Sequence, residues 1–527
     1  MRIAKYQRCH WSTTFGIVMW GLRRVVVAAA RGGRRRARQL SMDAFLAFER
    51  ELARKKRSVS PPPRPRRLEP PTPPRDGECC NLNCPNCVLL VYHEQLLEYE
   101  DSVRWEEGTS VKETGTCDRP TPSDVTLTWA SPAEALAWGA HGPWVRPPRG
   151  VSPSRVVANR VLTTTPHRSV HHIQVEHAPE MYHTAGNWNA YVPNADTVVS
   201  RCLDRLSLPP GADASTAVVQ INPGHTKSYP IHEWLSLTSL LTWYVDLMSP
   251  PTPRTLRRLS ALATAPTEQT RLIDLAADTS RSLSSFADVL DDFPSIVLSA
   301  EACLSLAPPL LPRSYTIASS SKQDPTTIAL TVAVKAPPLH GRCSTHLASS
   351  RPHACRIYGA AAPSSFSEHW RAHFPPSTPQ LWIATGTGIA PFRGLLEELS
   401  HVEKRPPVAL YYGCRNPSDE LYHNELTGAL AQRVLQSYTP VYSHTPPSSH
   451  SPSLPWHVGD KLKQDAAAIF NYLEHGTVYV CGSMAMGRDV NRALVDCLTS
   501  QRGWTADRAK TYLKTLQVAG RYVAEVW

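Results

Sequence analysis

Apolar runs in the last third of the chain end repeatedly in small residues. Leu381–Ala384 leads into Gly386-Thr387-Gly388-Ile389-Ala390-Pro391 and an amphipathic helix, and Val478–Val480 leads into Cys481-Gly482-Ser483 and another. Continuous apolar strands alternating with helical spacing predict a doubly wound parallel α/β sheet, whose ligand lies outside the carboxyl ends of the strands. Upstream, alternation replaces continuity: Ser169–Val175, Tyr182–Pro193, Arg313–Ser319 and Thr326–Val334 read as strands of a different kind. Between them, Ile231 to Leu306 is mostly helix-like, with apolar spacing in Leu235–Met248 and Leu256–Ala263 separated by Pro250, Pro251 and Pro253. The predicted order is strands, a helical insertion, strands again, then the α/β unit.

Composition changes this picture only at the amino-terminal end. Residues 1–75 carry 19 Lys and Arg against 4 Asp and Glu, a net +15, so the rest of the +11 chain is mildly acidic at about −4. Basicity confined to an arm gives the body no nucleic-acid footprint. The arm is Arg-rich and acid-poor as far as Asp43, which suits a mitochondrial leader; a start at Met42, leaving a cytoplasmic chain, is the alternative. Phe15–Trp20 and Val25–Ala30 are split by Arg23-Arg24 and fall short of the roughly 20 residues a membrane span needs.

Prolines, 48 in all, mark the joints. Ser60–Pro74 reads as an extended linker, followed by Cys79, Cys80, Cys84 and Cys87 and then the acidic, helix-spaced Val88–Asp101. The resulting division is a leader over 1–42, a Pro/Arg linker over 43–76, a cysteine module over 77–105, a second linker over 106–150, a strand-rich domain over 151–375 with its helical insertion at about 205–306, and a nucleotide-binding domain over 376–527. Four thiolates in one block could hold zinc or a small iron–sulfur cluster, or stay simple thiols. The remaining cysteines are scattered, which suits a reducing compartment.

The sequence Arg313-Ser314-Tyr315-Thr316 resembles the RxYS flavin motif of the ferredoxin-reductase superfamily, and the helical insertion points within it to the diflavin reductases. Val157-Ala-Asn-Arg160, Gly186-Asn187 through Pro193, Thr242–Asp246, Gly341-Arg342-Cys343-Ser344, the GTGIAPFRG segment, Tyr412–Arg415, Tyr479–Gly482 and the terminal Val526-Trp527 follow in that family's order. The resemblance covers about Val151 to Trp527. It implies a FAD-binding antiparallel β-barrel with a helical insertion, joined to an NAD(P)-binding α/β domain. It also implies hydride transfer from NADPH, with NADH as the alternative, to FAD. The cysteine block is similar to a small "oxidoreductase-like" domain.

Residue by residue, the resemblance implies Thr316, Cys481, Glu525 and Trp527 as the catalytic group. It assigns Arg313, Tyr315, Thr316, Val332, Gly341, Cys343, Ser344, Trp527 and Arg160 to FAD, and Gly386, Thr387, Gly388, Ser443, His444, Gly482 and Asp489 to the nucleotide. Chemistry supports several of these: an aromatic face for the flavin, a hydroxyl near its polar edge, and glycine-opened amides for pyrophosphates. Without the family, Cys481 would be read as a small core hydrophobe and Trp527 as a core plug.

Two departures stand out. The family grips the NADPH ribose phosphate with a Ser-Arg pair and a downstream Lys-x-Tyr-x-Gln, where this chain has Ser443-His444 and Pro455-Trp456-His457-Val458-Gly459. A permanent bidentate charge is thereby replaced by imidazole, which is mostly neutral near pH 7, so weakened NADPH preference is expected. In addition, residues 1–150 carry no flavodoxin-like phosphate loop, so FMN is not expected and electrons would pass to a separate one-electron acceptor, a heme, iron–sulfur or flavodoxin-like protein. The competing expectation is a non-enzymatic interaction or assembly protein on a degenerate reductase fold.

Overall fold

A computed structural model describes residues 125–527 except 141, 177–181, 215, 223–232, 279–284, 338–340 and 446–455, together with residues 70–72, 92, 95, 96 and 99. The leader, most of the first linker and the four clustered cysteines lie outside the described residues. The chain divides into two units, Met1–Arg75 with Val88–Glu113, and Asp76–Cys87 with Thr114–Trp527. In the first, Tyr92, Gln95, Leu96 and Tyr99 are helical. All the elements below belong to the second.

The strand-rich half opens with β1 (Thr126–Ala130), α1 (Pro132–Ala137), β2 (Ser152–Thr165), β3 (Arg168–Glu176), β4 (Asn187–Tyr191) and α2 (Asp196–Leu203). The insertion follows: β5 (Leu206–Ser207), β6 (Val218–Asn222), β7 (Trp234–Ser236), α3 (Leu237–Trp243), α4 (Pro253–Leu262), α5 (Pro266–Ala277), α6 (Phe286–Asp292), β8 (Leu298–Ser299) and α7 (Ala300–Leu306). The chain then returns through β9 (Arg313–Thr316), β10 (Thr327–Lys335), α8 (Arg342–Ser349), β11 (Arg356–Ala362) and α9 (Ser365–Ala372). Six of these strands form one antiparallel sheet, β10-β3-β2-β11-β4-β9. Just beyond β9, Ile317 bridges to Leu330 of the opposite edge strand β10.

The last part alternates β12 (Gln380–Thr385), α10 (Ala390–Ser400), β13 (Val408–Cys414), α11 (His423–Ala431), β14 (Ser437–Tyr442), α12 (Val458–Gln464), α13 (Ala466–His475), β15 (Thr477–Gly482), α14 (Met484–Arg502), α15 (Ala506–Val518) and β16 (Tyr522–Val526). The parallel sheet order is β14-β13-β12-β15-β16, so the chain winds outward first to one side of β12 and then to the other. Every residue of β13 and β15 is buried, as helices on both faces of a parallel sheet require. The reversal of winding lies between β12 and β15, and that crevice is where such sheets take ligands.

The two sheets meet along a polar seam. Tyr422, held at φ 58° before α11, sends its hydroxyl to His172 Nδ1 (3.0 Å) on β3 and Thr331 Oγ1 (2.7 Å) on β10. Arg393 of α10 donates from Nη1 to the Ala318 carbonyl at 2.6 Å. A non-glycine residue held at positive φ costs on the order of 1–3 kcal/mol and persists only where its surroundings impose it. Here the imposing contacts are the two hydrogen bonds into the neighbouring sheet.

Two expectations are corrected. Residues 106–150 were expected to form a linker, but Thr126–Ala130 pairs with β6 in register and Ser131 caps α1 in a reciprocal box with Glu134. Thr and Pro richness obscured a strand whose partner lies some 90 residues away, as the Thr128–Asn222 bond shows. The insertion, expected to be helical, also holds β6 and β7, which form a three-stranded sheet with β1.

Candidate functional site

Burial and pairing bring the carboxyl-terminal catalytic candidates together. Cys481 stands opposite Glu525 on the adjacent parallel strands β15 and β16. Glu525 Oε1 accepts from the Phe366 amide and the Ser365 hydroxyl, both at 2.9 Å, at the start of α9. Burial raises the Glu525 pKa against the pull of those donors. Burial, then the neighbouring Glu525 charge, pushes the Cys481 thiol well above its ordinary value. Cys481 is therefore a thiol rather than a thiolate.

Trp527 is pinned by its backbone, donating to the Gly482 carbonyl (3.1 Å) and accepting from the Met484 amide (2.9 Å). The residue as a whole, by contrast, is 52% exposed. A ring fixed at its root and free at its tip is the opposite of a core plug. Thr316 pairs with Asn187 on β4, and Ser364, which precedes α9, donates to Ala185 just upstream at 2.7 Å.

The flavin candidates gather around Tyr315. Its ring packs against the apolar cluster that contains Val332 and Trp188, and its hydroxyl meets the Cys343 thiol at the start of α8. Burial raises the pKa of both groups. Gly341 caps α8 without a side chain to occupy the first-turn amides, which leaves donors for an anion. Ser344, expected to serve a phosphate, donates back to the Gly341 carbonyl at 3.1 Å. Its neighbour Thr345 instead carries a buried hydroxyl with no partner among the described residues. Arg313 is exposed on β9, while Arg160 stands at the seam, 3.9 Å from Glu425.

The glycine-rich turn Gly386–Ile389 carries the chain from β12 into α10, with Pro391 in the first turn. Gly388 is buried hard against the Cys481 carbonyl, where a Cβ would collide with backbone, so the end of β12 and the end of β15 meet at the switch point. Gly386 holds φ 54° and its carbonyl accepts from the buried Tyr412 hydroxyl at 3.0 Å. Thr387 lies in the same turn. Gly482 closes on Thr385 across it.

One cation at this turn was missed from sequence. Arg168 begins β3, and its Nη1 lies 3.9 Å from the place a Gly386 Cβ would take, while its Nε is buried without a hydrogen-bond partner. It reaches the loop from the other sheet, more than 200 positions away in the chain, and no local motif marks it.

The remaining nucleotide candidates lie at two further places. Ser443 and His444 follow β14, their amides donating to the Cys414 and Arg415 carbonyls at 3.0 and 2.9 Å. Asp489 packs between α14 and the Gly459 end of α12 and pairs with Arg492 at 3.5 Å.

Comparison with known proteins agrees with this layout. Residues 147–350 match the FAD binding domain family and residues 382–492 the oxidoreductase NAD-binding domain family. The chain is 30% identical over 433 residues to the bifunctional cytochrome P450/NADPH–P450 reductase 2 of Bacillus subtilis, covering 78% of this chain and 39% of that protein. It is 33% identical over 318 residues to the inducible nitric oxide synthase of Sus scrofa, covering 55% of this chain and 26% of that one. Nitric oxide synthase 3 of Sus scrofa matches at 31% over 368 residues, 64% of this chain and 30% of its own. The chain thus spans well under half of each of these relatives.

Proposed function

Because the chain belongs to the diflavin-reductase type of the ferredoxin-reductase superfamily, we propose that it is an FAD-dependent NAD(P)H oxidoreductase that passes electrons to a separate one-electron protein acceptor. The observation that carries this reading is the meeting of Gly388, Cys481, Glu525 and Trp527 at the switch point of the parallel sheet. The six-stranded sheet is read as a barrel on the strength of the Ile317–Leu330 bridge between its edge strands.

The residues fit both nucleotides. FAD would be held by Tyr315 at its ring, and by Arg313, the open first turn of α8 and the orphan Thr345 hydroxyl at its pyrophosphate. When bound, it supplies a ring that takes up two electrons together and gives them up singly. The pyridine nucleotide would lie along Gly386–Gly388, with Arg168 supplying the charge and Ser443 and His444 meeting the adenosine end. Cys481 holds a proton on Sγ, and Glu525, anchored by the start of α9, would lie with it beside the nicotinamide. Trp527 would cover the ring of bound FAD and exclude water from it.

Heme is the acceptor chemistry named by the bacterial relative, and we carry it over as the first candidate. Anaerobic addition of NADPH to the full chain loaded with FAD should bleach the flavin. Protein that takes up no FAD, or whose FAD stays oxidised, overturns the reading and favours a scaffold role.

A further inference from the structure

β14 is the edge strand of the parallel sheet, and its middle residue, Pro440 opposite Tyr412, has no amide hydrogen to give the ladder. Such a strand needs another tether. One comes from Glu420, just past the turn that follows β13, whose side chain is only 2% exposed. Its Oε1 accepts from the Tyr438 hydroxyl and from His423 Nδ1, both at 2.6 Å, and its Oε2 accepts from the Tyr442 hydroxyl at 2.5 Å. Burial works to raise the pKa of this carboxyl, but the three donors outweigh it and hold it below the usual value.

The two tyrosines stand at positions i and i+4 on one face of β14, so a single carboxylate ties both ends of the strand to the turn after β13. Tyr442 is followed at once by Ser443 and His444. The preceding residue, Asp419, is also buried and grips Arg415 at 2.7 Å, and the Arg415 carbonyl receives the His444 amide. Adjacent carboxylates therefore fix the strand end from both its flanks.

We propose that Glu420 is a positioning residue for the nucleotide: through Tyr438 and Tyr442 it sets the end of β14, and thereby the affinity of Ser443 and His444 for the phosphorylated ribose. This rests on the reading above that the adenosine end lies there. Nothing in the arrangement touches the hydride-transfer group, so affinity and turnover should separate. A buried carboxylate with three donors is ordinarily assigned to stability, and the split between KM and kcat distinguishes the two roles.

The test uses the full chain with FAD, the variants Glu420→Gln and Tyr442→Phe, and adenosine 2′,5′-bisphosphate as a probe lacking nicotinamide. Loss of a charge-assisted hydrogen bond should raise KM for NADPH and weaken the probe by roughly tenfold, with kcat at saturation unchanged. Tyr442→Phe removes one hydroxyl without leaving a buried charge unpaired at every oxygen, so it serves where Glu420→Gln folds poorly. Unchanged KM and probe affinity in both variants overturn the proposal, as does a fall in kcat with KM intact. Wild-type protein that is reduced by NADPH yet ignores the probe refutes the location of the adenosine end, and the proposal with it, while leaving the reductase reading in place.

Discussion

Cys481 and Glu525 are buried polar groups on adjacent strands, and the proposed site places them beside the nicotinamide. Glu525→Gln keeps the shape and removes the exchangeable acid, so single-turnover flavin reduction should slow by about 10²-fold while FAD binding is kept. An unaltered rate would mean that Glu525 serves only to hold α9. His172 offers a separate check on the seam. Burial, with Arg393 and Arg160 nearby, lowers its pKa to about 3. Between that value and the ordinary 6.5 the unfolded chain binds a proton that the folded chain does not, so this contribution is present above about pH 6.5 and drains away as pH falls toward 3. His172→Phe should flatten that acid limb of the stability curve, at some cost in the Tyr422 bond; a limb of unchanged slope by chemical denaturation at stepped pH would contradict it. At this scale Thr316, Cys481, Glu525 and Trp527 could be proposed from sequence because short motifs carry them. Arg168 and Thr345 could not, since the signal in each is an orphaned polar atom, which only packing reveals.

Glycines join the elements into a site. Gly388 lets the turn after β12 touch the end of β15, and Gly359 on β11 lies directly beneath the Trp188 ring, beside the strand that carries Tyr315. Gly388→Ala would force a methyl into the Cys481 backbone. It should cost about 1–3 kcal/mol and weaken nucleotide binding with it, read as a lowered Tm and a raised KM. β12 and β15 were plain in the sequence because each is a buried apolar run closed by small residues, whereas β14, with Ser437, Thr439 and Pro440 and a single buried residue, was not. β1 was not: five residues inside a Thr- and Pro-rich stretch carry too little periodicity, although the Ser131-Pro-Ala-Glu134 cap after it was a local signal.

On the scale of the whole molecule, the residues proposed for specificity and for hydride transfer lie on strands to either side of β12, at the ends of β14 and of β15 and β16. His444 stands where the family's pattern has a guanidinium, exposed at the end of β14. His444→Arg should raise the ratio of kcat/KM for NADPH over NADH by roughly tenfold, because a planar, permanently charged fork suited to phosphate replaces an imidazole. No change in that ratio would show that the ribose phosphate is gripped elsewhere.

Hydride transfer from nicotinamide to FAD is the proposed chemistry, at the ends of β12, β15 and β16. Rapid anaerobic mixing of the FAD-loaded full chain with NADPH, and with NADPH carrying deuterium at the transferred position, decides whether it occurs. Bleaching of the flavin should be slower with deuterium and largely lost in Glu525→Gln. Bound FAD that stays oxidised with either nucleotide would contradict it.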